Sequence, residues 1–264
     1  MKLPNIYNKN INMDKHFDFI EEIRFDSLKE QIRDKQIEQE STDNTQTDKI
    51  NKLESRISIL EEKLLIIESK EILNKIDELQ DGQSLNLKLS SNMILTDKSI
   101  SIKPNTNVTI DLNEKSINVL EPNVDGIIIE NGGNLTINGN GNVETLDGGN
   151  GYPIIANGNL IINNGYFKSN RDENGQANAC IYARNGGNIE IYGGRFETFD
   201  GTFVLNQKDS DRNTSSIKAM GGEYVNFDPS DNLSEGIGTN FVPSGYKVES
   251  FVEGDKTIYK VIAE

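Results

Sequence analysis

Tryptophan is absent from this 264-residue chain, and cysteine occurs once, at Cys180. A lone thiol has no internal partner, so no disulfide within the chain supports the fold and no oxidising compartment is needed for it. Without Trp, and with aromatics at 7% of residues, a carbohydrate platform built on indole stacking is ruled out. Positive charge is scarce too: 27 Lys and Arg stand against 42 Asp and Glu, for a net charge of -15. That balance argues against nucleic-acid binding, which needs clustered cations, and against adhesion to anionic lipid. It reads as solubility. Apolar runs such as Leu64 to Ile67 are far short of the roughly 20 residues that cross a bilayer, so no membrane partner is expected. Met1 to Met13 carries Asn and Lys throughout and has no apolar core, so it is not expected to be a secretory signal. A chain of this kind that works outside a cell leaves by another route, such as lysis.

Glycine is missing from residues 1–80, where Pro4 is the sole proline; all 23 Gly lie from Gly82 onward. Gly weakens helices and supplies tight-turn geometry, so the break near Asp81-Gly82 divides a helical part from a β part. Met1 to Met13 (residues 1–13) has spaced apolar residues, Leu3, Ile6, Tyr7 and Ile11, but no period. It is either a frayed terminus or a peptide that docks on a partner. Asp14 is placed to cap a helix from Lys15 to about Gln39, with Ile20, Ile23, Leu28 and Ile32 on one face. Ser41 to Thr47 is polar and reads as a hinge. A heptad run follows, with Ile50, Ile57 and Leu64 at a and Leu53, Leu60 and Ile67 at d. Glu71 breaks the next a position, and Ile72, Ile76 and Leu79 resume in a shifted phase. Residues 14–81 are thus expected to form a helical, coiled-coil stalk. Its stripe calls for self-association, because the β part offers it no evident cover.

The β part is built on a repeated phrase. It reads Asn107-Val108-Thr109-Ile110, Asn134-Leu135-Thr136-Ile137, Asn159-Leu160-Ile161-Ile162 and Asn188-Ile189-Glu190-Ile191, with a worn copy at Ser216-Ile217-Lys218-Ala219. The steps are 27, 25, 29 and 28 residues. Val143, Phe167, Phe196 and Tyr224 follow the later copies at a near-fixed offset, the last three after Asn164-Gly165-Tyr166, Gly193-Gly194-Arg195 and Gly221-Gly222-Glu223. Short strands with Gly turns at this period are the signature of a solenoid, whose rungs bury a core by stacking. Asn107, Asn134, Asn159 and Asn188 are expected to stack as a column. Second strands are expected at 126–129, 153–156, 179–182 and 202–205. The solenoid is assigned to residues 82–225, and residues 226–264 to a cap that ends in a β-hairpin, Tyr246 to Val252 with Thr257 to Ile262. Three excursions leave the rungs: Asp147 to Tyr152, Ser169 to Asn178 and Asn206 to Ser215. Each is a binding loop or a solvent loop.

No catalytic, cofactor-binding or metal-binding residues are expected. Glycoside hydrolysis needs two carboxylates about 5–9.5 Å apart on one groove. By register Glu190 meets Ile161 and Lys218, and Asp111 meets Asn138, so no outward pair forms. His16, the single His, lies in the helical part. Asp209-Ser210-Asp211-Arg212-Asn213 starts like a calcium loop but lacks the turn Gly, and Met220 stands where the bidentate Glu belongs.

Ile102-Lys103-Pro104-Asn105-Thr106-Asn107-Val108-Thr109-Ile110-Asp111-Leu112-Asn113 resembles the entry rung of right-handed parallel β-helices in surface and phage proteins. Gly221-Gly222-Glu223-Tyr224, with Asn240-Phe241-Val242 and Gly245-Tyr246, resembles the ends of fibre-like proteins of phages infecting gut bacteria. The resemblance spans about two thirds of the chain. It implies a bacteriophage virion fibre, structural and not enzymatic, with a right-handed parallel β-helix behind a coiled coil. It further implies a homotrimer joined through Ile50, Leu53, Ile57, Leu60, Leu64 and Ile67, and an N-terminal anchor, Leu3, Ile6, Tyr7 and Ile11, on a capsid or other virion protein. Such a fibre is made in the host cytoplasm and works on the virion, as a head fibre that aids adhesion to host surface glycans or as a tail fibre. The Tyr residues 152, 182 and 192 are candidates for glycan contact. A bacterial surface protein that binds or cleaves polysaccharide is the reading from another class.

Overall fold

The structure is a computed structural model that describes residues 27–32, 44–175 and 178–264. Residues 27–32 are helical, within the helix expected from Lys15 to Gln39; the anchor residues Leu3, Ile6, Tyr7 and Ile11 lie outside the described residues. Helix α1 spans Asn44–Asp77 in one run of 34 residues. Two compact units divide within it, Met1–Glu61 and Glu62–Glu264.

The second unit is a parallel β-solenoid, with three strands in each full turn. The turns are β1 (Ser84–Lys88), β2 (Met93–Leu95), β3 (Ile100–Ile102); β4 (Asn107–Asp111), β5 (Lys115–Val119), β6 (Ile127–Ile129); β7 (Asn134–Asn138), β8 (Gly141–Glu144), β9 (Ile154–Ala156); β10 (Asn159–Ile162), β11 (Tyr166–Ser169), β12 (Ile181–Ala183); β13 (Asn188–Ile191), β14 (Arg195–Thr198), β15 (Leu205–Gln207); and the partial turn β16 (Ser216–Ala219), β17 (Glu223–Val225). Three sheets result. The first stacks β1, β4, β7, β10, β13 and β16; the second stacks β2, β5, β8, β11, β14 and β17; the third stacks β3, β6, β9, β12 and β15.

The repeated phrase holds its register. Asn134 pairs with Asn107 and Asn159, and Leu135 with Val108 and Leu160, so every apolar lead points inward onto the next. Val108, Ile110, Leu135, Ile137, Leu160, Ile162, Ile189 and Ile191 are all buried. Each contributes on the order of 2 kcal/mol of burial energy, before the chain's entropy is counted. Inside the second sheet Phe167, Phe196 and Tyr224 stack with ring centroids 5.1 Å apart at both steps. The asparagine column forms in part. Asn159 donates to Asn134 Oδ1 at 2.8 Å and Asn188 to Asn159 Oδ1 at 3.4 Å, while Asn134 donates instead to the Thr106 carbonyl.

The solenoid begins at β1, within the assigned residues 82–225, where Leu85 and Leu87 pair with Val108 and Ile110. The structure corrects three expectations. A turn has three sides where the sequence suggested two strands, since the aromatic positions belong to strands of their own, as in β11 and β14. The third-sheet strands run later than expected in the fourth and fifth turns, Ile181–Ala183 and Leu205–Gln207, because Ile181 and Leu205 align with Ile154. Finally, the β part does cover the end of the helix, though not the heptad positions before it. Leu73 and Ile76 are 2% and 1% exposed and join the core with Leu89 and Met93, and Ser69 Oγ accepts the Ile94 N–H at 2.9 Å. The shifted phase at Ile72 and Ile76 is this packing face, and it closes the first turn.

At the other end β18 (Tyr246–Glu253) and β19 (Lys256–Ala263) form the expected hairpin, and β19 pairs antiparallel with β17. Seventeen residues before β18, Pro229 accepts the Phe241 N–H and Phe241 accepts the Ala219 N–H, both at 2.8 Å, so the loop closes on itself against the first sheet. Phe227 and Phe241 root it in the core. Its side chains also seal the third sheet: Glu235 accepts the Gln207 N–H at 3.1 Å and Ser234 Oγ accepts the Phe203 N–H at 3.2 Å.

Candidate functional site

Between the first and second sheets the later turns pass through glycine, and a groove of about 670 Å³ runs along this corner. Packing forces the glycines. Gly165 and Gly194 have φ of +123° and +102°. A Cβ on Gly165 would press on the Phe167 ring at 3.1 Å, and one on Gly194 would stand 2.8 Å from the Gly165 carbonyl oxygen. The floor of the groove is therefore bare backbone. One wall is the outer face of the second sheet, where Asn142, Tyr166, Arg195, Glu223 and Lys260 are neighbours on successive strands. On the first-sheet side stands Tyr192, 48% exposed, its hydroxyl donating to Glu190 Oε2 at 3.0 Å.

Charges along this wall are matched in pairs. Arg195 donates to both Glu253 oxygens at 2.9 and 3.2 Å, and Lys260 donates to Glu223 at 3.1 Å. The Arg195 guanidinium holds the Glu253 carboxyl below the usual carboxylate range. One column further along the face, Lys168 donates to Glu144 at 2.9 Å, while Lys256 and the Tyr166 hydroxyl donate to Glu197 at 2.7 and 2.8 Å. Burial pushes Glu197 up, but these two bonds outweigh it and the net shift is downward. On the first sheet Glu190 faces Ile161 and Lys218, as the sequence register gave, and the Lys218 ammonium and then the Tyr192 hydroxyl lower its carboxyl. Asp111 faces Asn138. Glu253, Glu197 and Glu190 are thus held ionised by their neighbours and suit fixed hydrogen bonding to hydroxyl or amide groups.

A second cluster lies toward the third sheet. The Tyr152 and Tyr182 rings stack at 5.3 Å, Arg184 lies 5.8 Å over Tyr182, and Asp125 accepts the Tyr152 N–H at 2.9 Å. Burial pushes the Asp125 carboxyl up. Two of the three candidate tyrosines are thus brought together, while Tyr192 stands at the corner groove. The excursions Asp147 to Tyr152 and Ser169 to Asn178 both connect the second sheet to the third, and Arg171 clamps Asp147 with bonds of 3.1 and 2.7 Å. The third excursion is at the next corner, and its first two residues belong to β15. Its Asp211 accepts the Asn185 N–H at 2.7 Å, and Asp209 pairs with Arg212. Among the described residues no group of three or more His, Cys, Asp or Glu is placed to hold a metal ion.

The six heptad positions all fall on α1. Leu60 and Ile67 are 54% and 50% exposed, and Ile50, Leu53, Ile57 and Leu64 are half-buried. Within the second unit, at about 100° per residue, Leu64 and Ile67 lie roughly 160° around the helix from Ser69, Ile72, Leu73 and Ile76, the face that packs on the solenoid. Sequence reasoning missed the groove wall. Its signal was present: Tyr166, Arg195 and Glu223 each immediately precede a stacked aromatic, and strand alternation turns them outward. Compared with known protein families, curated proteins and solved structures, the chain matches none.

Proposed function

We propose that this chain is a structural fibre of a bacteriophage virion, a head fibre that decorates the capsid and aids adhesion to host surface glycans. In this reading α1 assembles as a parallel trimeric coiled coil through Ile50, Leu53, Ile57, Leu60, Leu64 and Ile67. Leu3, Ile6, Tyr7 and Ile11 dock on a capsid or other virion protein, and the solenoid winds right-handed, as parallel crossovers nearly always do. The observation that supports it best is the division of labour on α1. Leu73 and Ile76 near its end are consumed by the solenoid, and Leu60 and Ile67 of the apolar heptad stripe stand half exposed, left for other copies. Three solenoids on one assembly multiply weak glycan contacts. The test is cryo-EM of purified particles, with a second preparation carrying the chain lacking Met1 to Met13. The chain is expected on the capsid, and the truncated form is expected to fold but not to join particles. A chain absent from particles, or seated at the tail, overturns the head-fibre reading.

A further inference from the structure

We propose that the corner groove between the first and second sheets binds an uncharged, hydroxyl-rich glycan strand lying along the solenoid axis. This deepens the adhesive part of the reading above and rests on it. The wall from Asn142 to Lys260 crosses five strands, about 19 Å at 4.8 Å per strand, and so offers room for about four sugar units. One strand spacing is close to the advance of one pyranose in an extended glycan, so successive rungs meet successive sugars in the same way.

The wall chemistry selects the ligand. A peptide would bind by adding a strand to a free edge or by sinking apolar anchors into pockets. Here β11, β14 and β17 already pair on both sides, and the outward residues are an amide, a phenol and paired ions. A nucleic acid would need unpaired cations, whereas Arg195 and Lys260 are neutralised by Glu253 and Glu223. What remains are planar donors and acceptors suited to neighbouring hydroxyls: the Asn142 carboxamide, the Arg195 guanidinium and the Glu223 carboxylate. Tyr192 adds a half-exposed ring for the apolar face of a sugar. The third-sheet tyrosines offer less, because Tyr152 and Tyr182 spend their facing surfaces on each other.

Affinity gel electrophoresis of the full chain tests this, in gels cast with dextran, xylan or mannan, and with polygalacturonate as the charged probe. At least one neutral polymer is expected to retard the chain. Tyr192→Ala and Asn142→Ala should each raise the polymer concentration for half-retardation at least fivefold, while Glu121→Ala, at an exposed position outside the groove, leaves it unchanged; melting curves of all three should match the parent chain. The proposal is overturned if no neutral polymer retards the chain, if retardation survives both groove substitutions, or if polygalacturonate alone acts and salt abolishes the effect. None of these results alters where the chain sits on a particle. A failed groove and a failed virion assignment are thus told apart.

Discussion

Glu235 is 4% exposed, yet it carries a carboxylate whose partners are the Gln207 N–H at 3.1 Å and the Arg212 guanidinium at 3.7 Å. Burial outweighs them and pushes its pKa up to about 6. The folded chain therefore holds a proton that the unfolded chain has released between the ordinary carboxylate pKa of 4.5 and about 6. The stability that this group contributes is full below 4.5 and is lost as pH rises through 6. Glu190, Glu197 and Asp211 have lowered pKa values and act in the opposite sense, so total stability against pH does not isolate Glu235. Comparison with Glu235→Gln does, because Gln keeps a carbonyl for the Gln207 N–H and cannot ionise. Melting temperatures at pH 4.5, 6 and 7.5 should show the parent chain losing ground to the variant as pH rises. An unchanging gap across that range would mean that Glu235 is not the titrating group. The same residue shows how the fold closes an edge without a strand: a carboxylate and the Ser234 hydroxyl accept the N–H groups that a further strand would have paired.

Helix α1 separates two roles that one apolar pattern conceals. Leu73 and Ile76 belong to the solenoid core, and truncating either to Ala should cost the second unit about 2–5 kcal/mol, read by denaturant unfolding. Leu60 and Ile67 lie on the other stripe and are half exposed. The double change Leu60→Glu with Ile67→Glu should leave solenoid melting unchanged and convert a sedimenting trimer to monomer. Loss of folding in that variant, or a parent chain that is already monomeric at micromolar concentration, would refute self-association through this face. The two stripes were legible as periodicity but not as destinations, because a heptad slip and a change of packing partner look alike in sequence. The first sheet was legible because its phrase fixes both strand and register. The third sheet was legible in part: the strands expected at 126–129 and 153–156 match Ile127–Ile129 and Ile154–Ala156, but the loops before the next two differ in length, so no fixed offset marks the starts of Ile181–Ala183 and Leu205–Gln207. The groove wall was half legible, since the outward residue travels with each Gly-x-aromatic phrase, but the corner that makes it concave appears only on folding.

A particle needs very different things from a head fibre and from a main receptor-binding tail fibre, and within the virion-fibre reading proposed above the make-up of this chain favours the former. The solenoid is short: its first sheet stacks six strands, about 25 Å at 4.8 Å per strand. A tail fibre that carries infection by itself is expected to have a longer shaft and a tip rich in aromatic anchors, because a few large aromatic contacts dominate tight binding. Here Trp is absent, the aromatics Phe167, Phe196 and Tyr224 are spent inside the core, and the groove offers Tyr192 among amides and matched ions. Such a surface binds weakly one copy at a time and gains by multiplicity, which suits a capsid studded with many copies. On the proposed head-fibre reading, particles assembled without this chain should remain infectious but adsorb to cells more slowly. The slowing should be largest at low cell density, where a prolonged encounter matters most. Adsorption kinetics on a deletion phage measure this directly. Complete loss of plaque formation, with particles otherwise intact, would place the chain at the tail, and adsorption at the parental rate would remove the adhesive role while leaving the decorating one.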